Sequence, residues 1–344
     1  MSITKQKREE IKRYLLKHIN QRDRDYIAKA QDAYGISKTT VYNYVRQLVE
    51  SGAIQACADG SFPYQLVSTS HQFLYHTADQ LEEDRIFDRD IAPLLRNLAR
   101  NVFDIWRYSF TEMMNNAIEH AQAESIGCNV VQTALFTDIM IVDDGVGIFS
   151  KIRNFYERSL GTSITLDEAV ATLFAGKFTT DQSHHSGEGI FFTSRALDEF
   201  FIFSEGKLFA HTVFSERMIP ADDLIFGRGT VVLMRQEDIS NKDLKDIMDL
   251  YSDSDRGFFK TQLPVAHIFP NRYPVSRSEA RRLGAMISKF EEVSLDFSGV
   301  ERIGQGFAHE LFVVFPSHNP DIQLTAINAC PEVQGMIDRV IHTT

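Results

Sequence analysis

The spacing of apolar residues predicts a compact helical segment at the start of the chain. Between residues 4 and 66 the spacing is mostly helical. The first predicted helix has its apolar face at Ile11, Leu15, Leu16 and Ile19. A shorter helix follows at about 25–33, and a third begins after the N-cap Ser37. Its apolar stripe consists of Val41, Val45, Leu48 and Val49. The stretch AIQACADGSFPYQLV then predicts a hairpin that turns at Asp59-Gly60.

The middle of the chain contains segments with the helical spacing of apolar residues and segments with the alternation typical of strands. A long helical region is predicted from about residue 90 to residue 121. The strands IGCNVVQTAL and DIMIVDD follow, and then the helix LDEAVATLFAGK, whose Thr165 and Glu168 have the spacing of a capping box. The helix GEGIFFTSRALDEF and the strands FFIFSEG, KLFAHTVF and GTVVLMR complete this block. Strands joined by hairpins predict mixed α/β structure and not a repeated βαβ unit.

The last part of the chain alternates strand and helix, which predicts a small separate α/β domain. The segments before and after the middle block are charged and are interpreted as connections. The predicted division of this multidomain α/β chain is therefore 1–66, a connecting or helical segment 67–89, 90–236, a linker 237–256, and 257–344.

Charge is divided unevenly between these segments. The chain carries a net −11, yet residues 1–66 hold eleven Lys or Arg against seven Asp or Glu, so this segment is +4 and the remainder −15. Only the first segment has the charge expected of a DNA-binding unit. No signal peptide and no apolar run of about 20 residues is present, which favours a cytoplasmic protein without a membrane association. The three cysteines lie far apart, which argues against a disulfide framework or a zinc site.

The candidate chemistry begins on the helix FTEMMNNAIEHA. Glu112, Asn116 and either Glu119 or His120 are spaced by three or four residues, so they form one polar stripe. The opposite face is apolar and consists of Met113, Met114, Ala117, Ile118 and Ala121. A solvated helix side would give the same pattern, so this stretch alone does not establish a site.

Two glycine-containing turns add to this stripe. IMIVDDGVGI is a strand that ends in Asp143 and Asp144, after which Gly145 and Gly147 let the backbone approach a ligand. A carboxylate at this strand end can accept an amine hydrogen bond. SGEGIFF places Ser186, Gly187 and Gly189 before a predicted helix, whose free N–H groups favour phosphate. Along the chain the polar stripe of the helix comes first, the turn after the strand second and the SGEGIFF turn third.

That order resembles the GHKL ATPase superfamily, which includes DNA gyrase, heat-shock chaperones, histidine kinases and mismatch-repair ATPases. The matching segments are EMMNN, DDGVG, a lid at about 150–186, SGEG and GRGTVVLM, over about residues 90–236. The resemblance implies an α/β sandwich that binds ATP with Mg²⁺. It implies roles for individual residues: Glu112 as the base that activates water, Asn116 as the Mg²⁺ ligand, Asp143 as the adenine acceptor, Gly147 as the position that makes room for the nucleotide, Gly187 and Gly189 as the phosphate turn, and Thr230 as the hydroxyl beside Asp143.

Some residues depart from this pattern or stay undecided. The second glycine motif is short, which leaves its phosphate contacts open. Lys177 lies in the predicted lid and is interpreted as a solvated lysine, with phosphate contact as the alternative. His184 and His185 are adjacent but have no nearby cysteine, so we do not predict a metal site there.

The type of GHKL protein is indicated by the two ends of the chain. TEMMNNAIEHA is similar to the corresponding helix of anti-sigma-factor serine kinases, whose substrates are STAS-domain proteins. VSLDFSGVERIGQGFAHELF resembles a STAS-like domain, over about residues 257–340. Where a STAS antagonist carries its phosphorylatable serine, this chain has Gly304, Gln305 and Gly306, so self-phosphorylation there is not expected.

The N-terminal segment resembles a winged helix-turn-helix domain. The second helix of the helix-turn-helix, which begins after Ser37, would present five residues to a major groove: Lys38, Thr39, Tyr42, Asn43 and Arg46. Such domains also serve as protein-interaction modules, and that alternative stays open.

We therefore expect an ATP-binding, slowly hydrolysing regulatory switch that uses Mg²⁺ and binds DNA through residues 1–66 and a protein partner through the STAS-like domain. Homodimerisation is one way in which ATP would act on the flanking domains. The alternatives are a protein serine/threonine kinase of the anti-sigma-factor type that acts on a STAS partner, and a transcription regulator that senses ATP without hydrolysing it.

Overall fold

The computed structural model describes residues 4–161, 163–177, 188–210, 228–269 and 273–342. Its N-terminal unit contains three helices and a two-stranded antiparallel hairpin. These elements are α1 (Lys5–Asn20), α2 (Tyr26–Tyr34), α3 (Lys38–Glu50), β1 (Ile54–Ala56) and β2 (Tyr64–Leu66). The Ser37 hydroxyl accepts a hydrogen bond from the Thr40 amide, so the predicted N-cap of α3 is confirmed.

The core of the N-terminal unit is shared with the middle of the chain. The predicted apolar face of α1 is buried, and so are most of the stripe residues of α3. Leu135 and Phe136, which lie about seventy residues beyond the end of the hairpin, are buried in the same cluster. On the surface of this junction, Arg13 and Lys17 of α1 both form ion pairs with Glu237. The N-terminal unit is therefore packed firmly against the segment that follows it.

The central unit is built on one six-stranded antiparallel sheet. Its strands are β3 (Thr69–His76), β4 (Ser125–Gln132), β5 (Phe136–Asp143), β6 (Glu199–Ser204), β7 (Lys207–Ala210) and β8 (Thr230–Glu237). They lie in the order β3-β4-β5-β8-β6-β7, so β8 is inserted between β5 and β6. This insertion brings the end of β5 beside the start of β8, which decides the geometry of the site.

Strand β3 was missed by the sequence analysis. It lies within the segment interpreted as connecting, and it pairs with the whole of β4 at the edge of the sheet. Six of its eight residues are exposed and only Tyr75 is buried, so the alternating apolar pattern that identifies a strand is almost absent.

Helices cover one face of the sheet. They are α4 (Glu83–Ile86), α5 (Ala92–Leu95), α6 (Arg100–Asn115), α7 (Ile148–Leu160), α8 (Leu166–Ala175), α9 (Gly189–Ala196) and α10 (Leu244–Tyr251). The long helix predicted for 90–121 is interrupted between Leu95 and Arg100 and ends in a π-helical turn at Asn116–His120. Trp106, Phe110 and Met113 of α6 pack on the sheet and form the main core. The capping box of Thr165 and Glu168 is present at the start of α8.

The C-terminal unit contains a three-stranded parallel sheet flanked by helices. Its elements are β9 (Ser252–Asp253), β10 (Gly257–Phe258), β11 (Lys260–Pro264), α11 (Val265–Ile268), α12 (Arg277–Ile287), β12 (Glu292–Asp296), α13 (Gln305–His309), α14 (Phe315–His318), β13 (Gln323–Ile327) and α15 (Pro331–His342). The parallel order is β11-β12-β13. This alternation of strands and helices agrees with the pattern predicted for the tail of the chain.

Candidate functional site

Asp143 and Thr230 lie opposite each other at the adjoining ends of β5 and β8. Both are buried. The Asp143 Oδ1 atom accepts hydrogen bonds from the amides of Gly145, at 2.9 Å, and Thr230, at 3.3 Å. Burial raises the pKa of the Asp143 carboxyl, and these amide donors oppose the rise. Two motifs that are far apart in sequence are thus joined around one buried carboxylate.

The neighbouring carboxylate has a different environment. Asp144 is exposed, and it accepts hydrogen bonds from the amides of Glu124 and Ser125 and from the Ser125 hydroxyl. These donors lower the pKa of Asp144. Asp144 therefore fixes the start of β4, whereas Asp143 points into the candidate site.

The glycine turn after Asp143 is fastened to the end of the helix that carries the polar stripe. The Val146 amide donates to the Ala121 carbonyl at 2.9 Å. A Cβ atom at Gly145 would lie 2.1 Å from that carbonyl oxygen, so only glycine fits. Arg228, which the sequence analysis did not single out, donates from Nε to the Gly145 carbonyl at 3.3 Å.

Gly147 is required for a reason that the sequence did not indicate. Its φ is +85°, and a Cβ atom there would lie 2.8 Å from a carboxylate oxygen of Glu205. Glu205 accepts hydrogen bonds from the Ser150 amide, at 2.7 Å, and from the Ser150 hydroxyl. It therefore caps the first turn of α7, whose own N-cap Gly147 has no side chain. No motif in the sequence connects Glu205 with this turn.

The side chain of Glu112, on α6, reaches the first residue of α9. A Cβ atom at Gly189 would lie 2.1 Å from Glu112 Oε2, so these two residues are in close contact. Tyr108, one turn earlier on α6, is half-buried, and its pKa is raised by burial and by the nearby Glu112 and Glu188 carboxylates. Tyr108 was missed because it belongs to none of the motifs, and Glu188 lies within SGEG but was assigned no role there.

Asn116 begins the π-helical turn that follows α6. It is partly exposed, and its Nδ2 donates a weak hydrogen bond to the Met113 sulfur at 4.0 Å. Met113, Met114 and Ala117 on the opposite face are buried, as the apolar pattern predicted. The helix therefore has one core face and one polar face, and the latter carries both Glu112 and Asn116.

Parts of the predicted site lie outside the described residues. These are Ser186, Gly187 and the pair His184-His185. Lys177 is described, and its interpretation as a solvated lysine was wrong. Its ammonium lies over the rings of Phe258 and Phe290, at 5.5 and 4.8 Å, and burial lowers its pKa.

The residues predicted to contact DNA share one surface of α3. All five are exposed: Lys38, Thr39, Tyr42, Asn43 and Arg46. The Lys38 ammonium lies 5.8 Å from the centre of the Tyr42 ring, and Arg46 forms an exposed ion pair with Glu50. The hairpin turn at Asp59-Gly60 follows on the same unit, where Gly60 has a φ of +64°.

The described residues hold neither a metal-binding cluster nor a membrane-spanning helix. Among these residues, no group of three or more His, Cys, Asp or Glu side chains is arranged to hold a metal ion. None of the described helices combines the length and apolar character needed to cross a bilayer.

Comparison with known proteins identifies one region. Residues 279–334 match the family described as STAS-like domain of unknown function (DUF4325). A comparison with curated proteins found no match. The matched residues run from α12 to the start of α15. The chain is thus a mixed α/β multidomain protein whose C-terminal unit, here called the STAS-like domain, is similar to that family.

Proposed function

We propose that the chain is an ATP-binding regulatory protein whose central unit is a GHKL-type nucleotide domain that slowly hydrolyses Mg·ATP. One observation carries this proposal: Glu112, Asp143, Gly189 and Thr230, which come from four separate motifs, form two contacting pairs that are joined through the Gly145 turn. Glu112 touches Gly189, and Asp143 is bonded to Thr230. The Gly145 turn joins Asp143 to the end of the helical segment that carries Glu112.

Each contact supports a distinct task. The Asp143 carboxylate, held mainly through Oδ1, is fixed in an orientation that suits an acceptor for the exocyclic amine of adenine. The N-terminus of α9 would offer phosphate its first amides and the positive end of the helix dipole. Asn116 would supply a hard oxygen ligand for Mg²⁺, with water and phosphate oxygens as the other ligands.

Glu112 is proposed as the general base. Its contact with Gly189 brings its carboxylate to the helix end where the phosphates would lie. There it would accept a proton from the attacking water as the new bond to the γ-phosphorus forms and the bond to the leaving ADP oxygen breaks. A positioned base contributes about 10²- to 10⁴-fold in rate, so its loss affects turnover more than binding.

Calorimetric titration with Mg·ATP and a phosphate-release assay test the proposal. The intact chain should bind Mg·ATP, and Glu112→Gln should retain that binding but release phosphate at least about 10²-fold more slowly. Asp104→Asn on the same helix, where the carboxylate pairs with the exposed Arg100 at 2.8 Å, is the matched control and should keep its turnover. Equal hydrolysis by the wild type and Glu112→Gln would disprove the role of Glu112, and the absence of Mg·ATP binding would disprove the nucleotide site.

A protein kinase of the anti-sigma-factor type is the alternative enzymatic function. The match of residues 279–334 to a STAS-like family favours it, because STAS-domain proteins are substrates of the kinases that this chain resembles. Transfer of radiolabel from γ-labelled ATP to a separate STAS-domain protein would indicate the kinase, whereas release of free phosphate indicates an ATPase. Tight binding with neither product would indicate an ATP-sensing transcription regulator.

We also propose that the N-terminal unit binds duplex DNA as a winged helix-turn-helix. The exposure of all five predicted residues on one face of α3 supports this role. Binding of a random duplex pool, measured with and without Mg·ATP together with the size of the complex, tests whether nucleotide controls DNA binding or dimerisation.

A further inference from the structure

The STAS-like domain and the two helices beside the proposed phosphate site share one core. Ala171 and Ala175 of α8 and Phe191 and Phe192 of α9 are buried in the cluster that forms the interior of the STAS-like domain. Phe258 is the central contact, with ring centres 4.5 Å from Phe191 and 5.2 Å from Phe192. The contact is therefore a continuous apolar core and not a loose surface between two domains.

Directed polar contacts hold the end of α8 in the same interface. The buried Thr261 hydroxyl donates to the Ala175 carbonyl at 2.9 Å. Two residues later, Lys177 donates from Nζ to the Lys289 carbonyl at 3.0 Å and lies over two aromatic rings of the STAS-like domain. At the opposite end of α8, Glu168 pairs with Arg282 at 2.7 Å. Both ends of this helix are thus attached to the STAS-like domain.

Helix α9 is attached by an arginine. Arg195 packs its guanidinium on the Phe191 ring and donates from Nη2 to the Gln262 carbonyl of β11 at 3.1 Å. The same helix begins at Gly189, which is in contact with Glu112. A displacement of α9 would therefore move its N-terminus away from the proposed base. Tyr108, the residue one turn before Glu112, also packs against this shared core.

We propose that the STAS-like domain is a positioning partner of the nucleotide site: by holding α8 and α9 it sets the place of the α9 N-terminus relative to Glu112, and so determines the affinity for Mg·ATP. The inference rests on the proposed function, because it concerns regulation of the same site. By thermodynamic linkage, bound Mg·ATP stabilises the interface by the same factor by which the interface strengthens nucleotide binding. A partner that competes for the α8–α9 surface of the STAS-like domain would release nucleotide.

Two substitutions within the STAS-like domain test the inference without changing any residue of the proposed site. Phe258→Leu removes the central aromatic contact, and Thr261→Val removes the hydroxyl that bonds Ala175 while keeping its shape. Phe297→Leu is the matched control. Phe297 is equally buried in the same domain, but its ring neighbour is Phe312 of that domain.

Mg·ATP affinity and hydrogen exchange of α9 are measured in the full chain, with thermal melting to show that each variant is folded. We expect Phe258→Leu and Thr261→Val to raise exchange in α9 without nucleotide and to raise the Kd for Mg·ATP by about threefold or more. Phe297→Leu should leave both within about twofold of the wild type even if it lowers the melting temperature. Mg·ATP should reduce exchange in β11 of the wild type.

Several results would overturn the inference. Unchanged exchange of α9 in both test variants would show that these contacts do not hold the helix. Faster exchange with an unchanged Kd would show that the position of α9 does not control affinity, while the nucleotide site itself would stand. An equal loss of affinity in Phe297→Leu would show an effect of general stability. A wild type that binds no Mg·ATP would refute the proposed function and this coupling together.

Discussion

Asp143 and Asp144 are chemically identical neighbours, but their surroundings in the structure differ. The sequence predicted Asp143 as the site carboxylate through a resemblance, but alternation along a strand alone would not decide between the two. The structure separates them by burial: Asp143 is nearly inaccessible between two strands, whereas Asp144 is exposed and bonded to the start of β4. Residue-level roles therefore depend on long-range pairing that the local sequence does not contain.

Replacing Asp143 by asparagine should separate ligand binding from stability. Asn keeps the oxygen that accepts from Gly145 and Thr230, and it removes a buried charge whose pKa is raised by desolvation. We expect Asp143→Asn to melt no lower than the wild type at neutral pH while its Mg·ATP affinity falls about tenfold or more. Asp144→Asn is the control and should keep affinity. Full Mg·ATP binding by Asp143→Asn would refute the role of Asp143.

Alanine at two of the glycines should have contrasting effects. At Gly145 the new Cβ atom would meet a backbone oxygen, which cannot move without opening the turn, so we expect Gly145→Ala to cost about 1–3 kcal/mol of stability. At Gly189 it would meet the end of the Glu112 side chain, which can rotate away. Gly189→Ala should therefore keep most of its stability but lose phosphate release. Denaturant unfolding and phosphate release are measured on both variants. A larger loss of stability in Gly189→Ala than in Gly145→Ala would contradict the prediction.

At the scale of elements, the sequence predicted most helices and strands and failed where periodicity was weak. The start of α3 and the capping box of α8 were predicted correctly because capping depends on residues three positions apart. Strand β3 was missed because its exposed edge position removes the apolar alternation. The contacts of Glu205 and Arg228 with the glycine turn could not be predicted, since they depend on how distant strands are ordered in the sheet.

Helix α3 gives a prediction that concerns one surface. Lys38 and Arg46 project from its exposed face, so alanine at either position should weaken binding of duplex DNA. The fall of log affinity with log salt concentration should also become less steep, by about one in slope. Lys7→Ala removes the same charge from α1, where the residue is also exposed, and should have a smaller effect. Equal losses for all three would indicate attraction by the net charge of the unit rather than recognition by α3.

At the scale of the whole molecule, the junction between the N-terminal unit and the sheet contains a titrating group. Burial raises the pKa of Asp238 from 3.8 to about 6, while its bond from the Thr137 hydroxyl and the nearby Arg13 charge oppose the rise. Because the folded state holds this proton after the unfolded state has lost it, the contribution of Asp238 to stability is largest below about pH 4 and is lost as the pH rises to about 6.

Asp238→Asn should therefore gain stability relative to the wild type as the pH rises. The difference between their melting temperatures is expected to grow between about pH 4 and about pH 6 and to level off above that range. Asp243→Asn, at the N-cap of α10 in the next segment, controls for the general loss of one negative charge. Parallel melting curves for wild type and Asp238→Asn across this range would contradict the prediction.

Leu135 and Phe136 complete the core of the N-terminal unit, and this has a consequence for recombination of the chain. A fusion protein joined after residue 66 would leave behind two large apolar residues on the sheet and uncover their contact surface on the helices. Such a cut exposes complementary apolar surfaces on both products and favours their aggregation. The N-terminal unit can therefore be transferred to another protein only if the sheet of that protein offers an equivalent pair of apolar residues. The short link between hairpin and sheet is not by itself a usable fusion point.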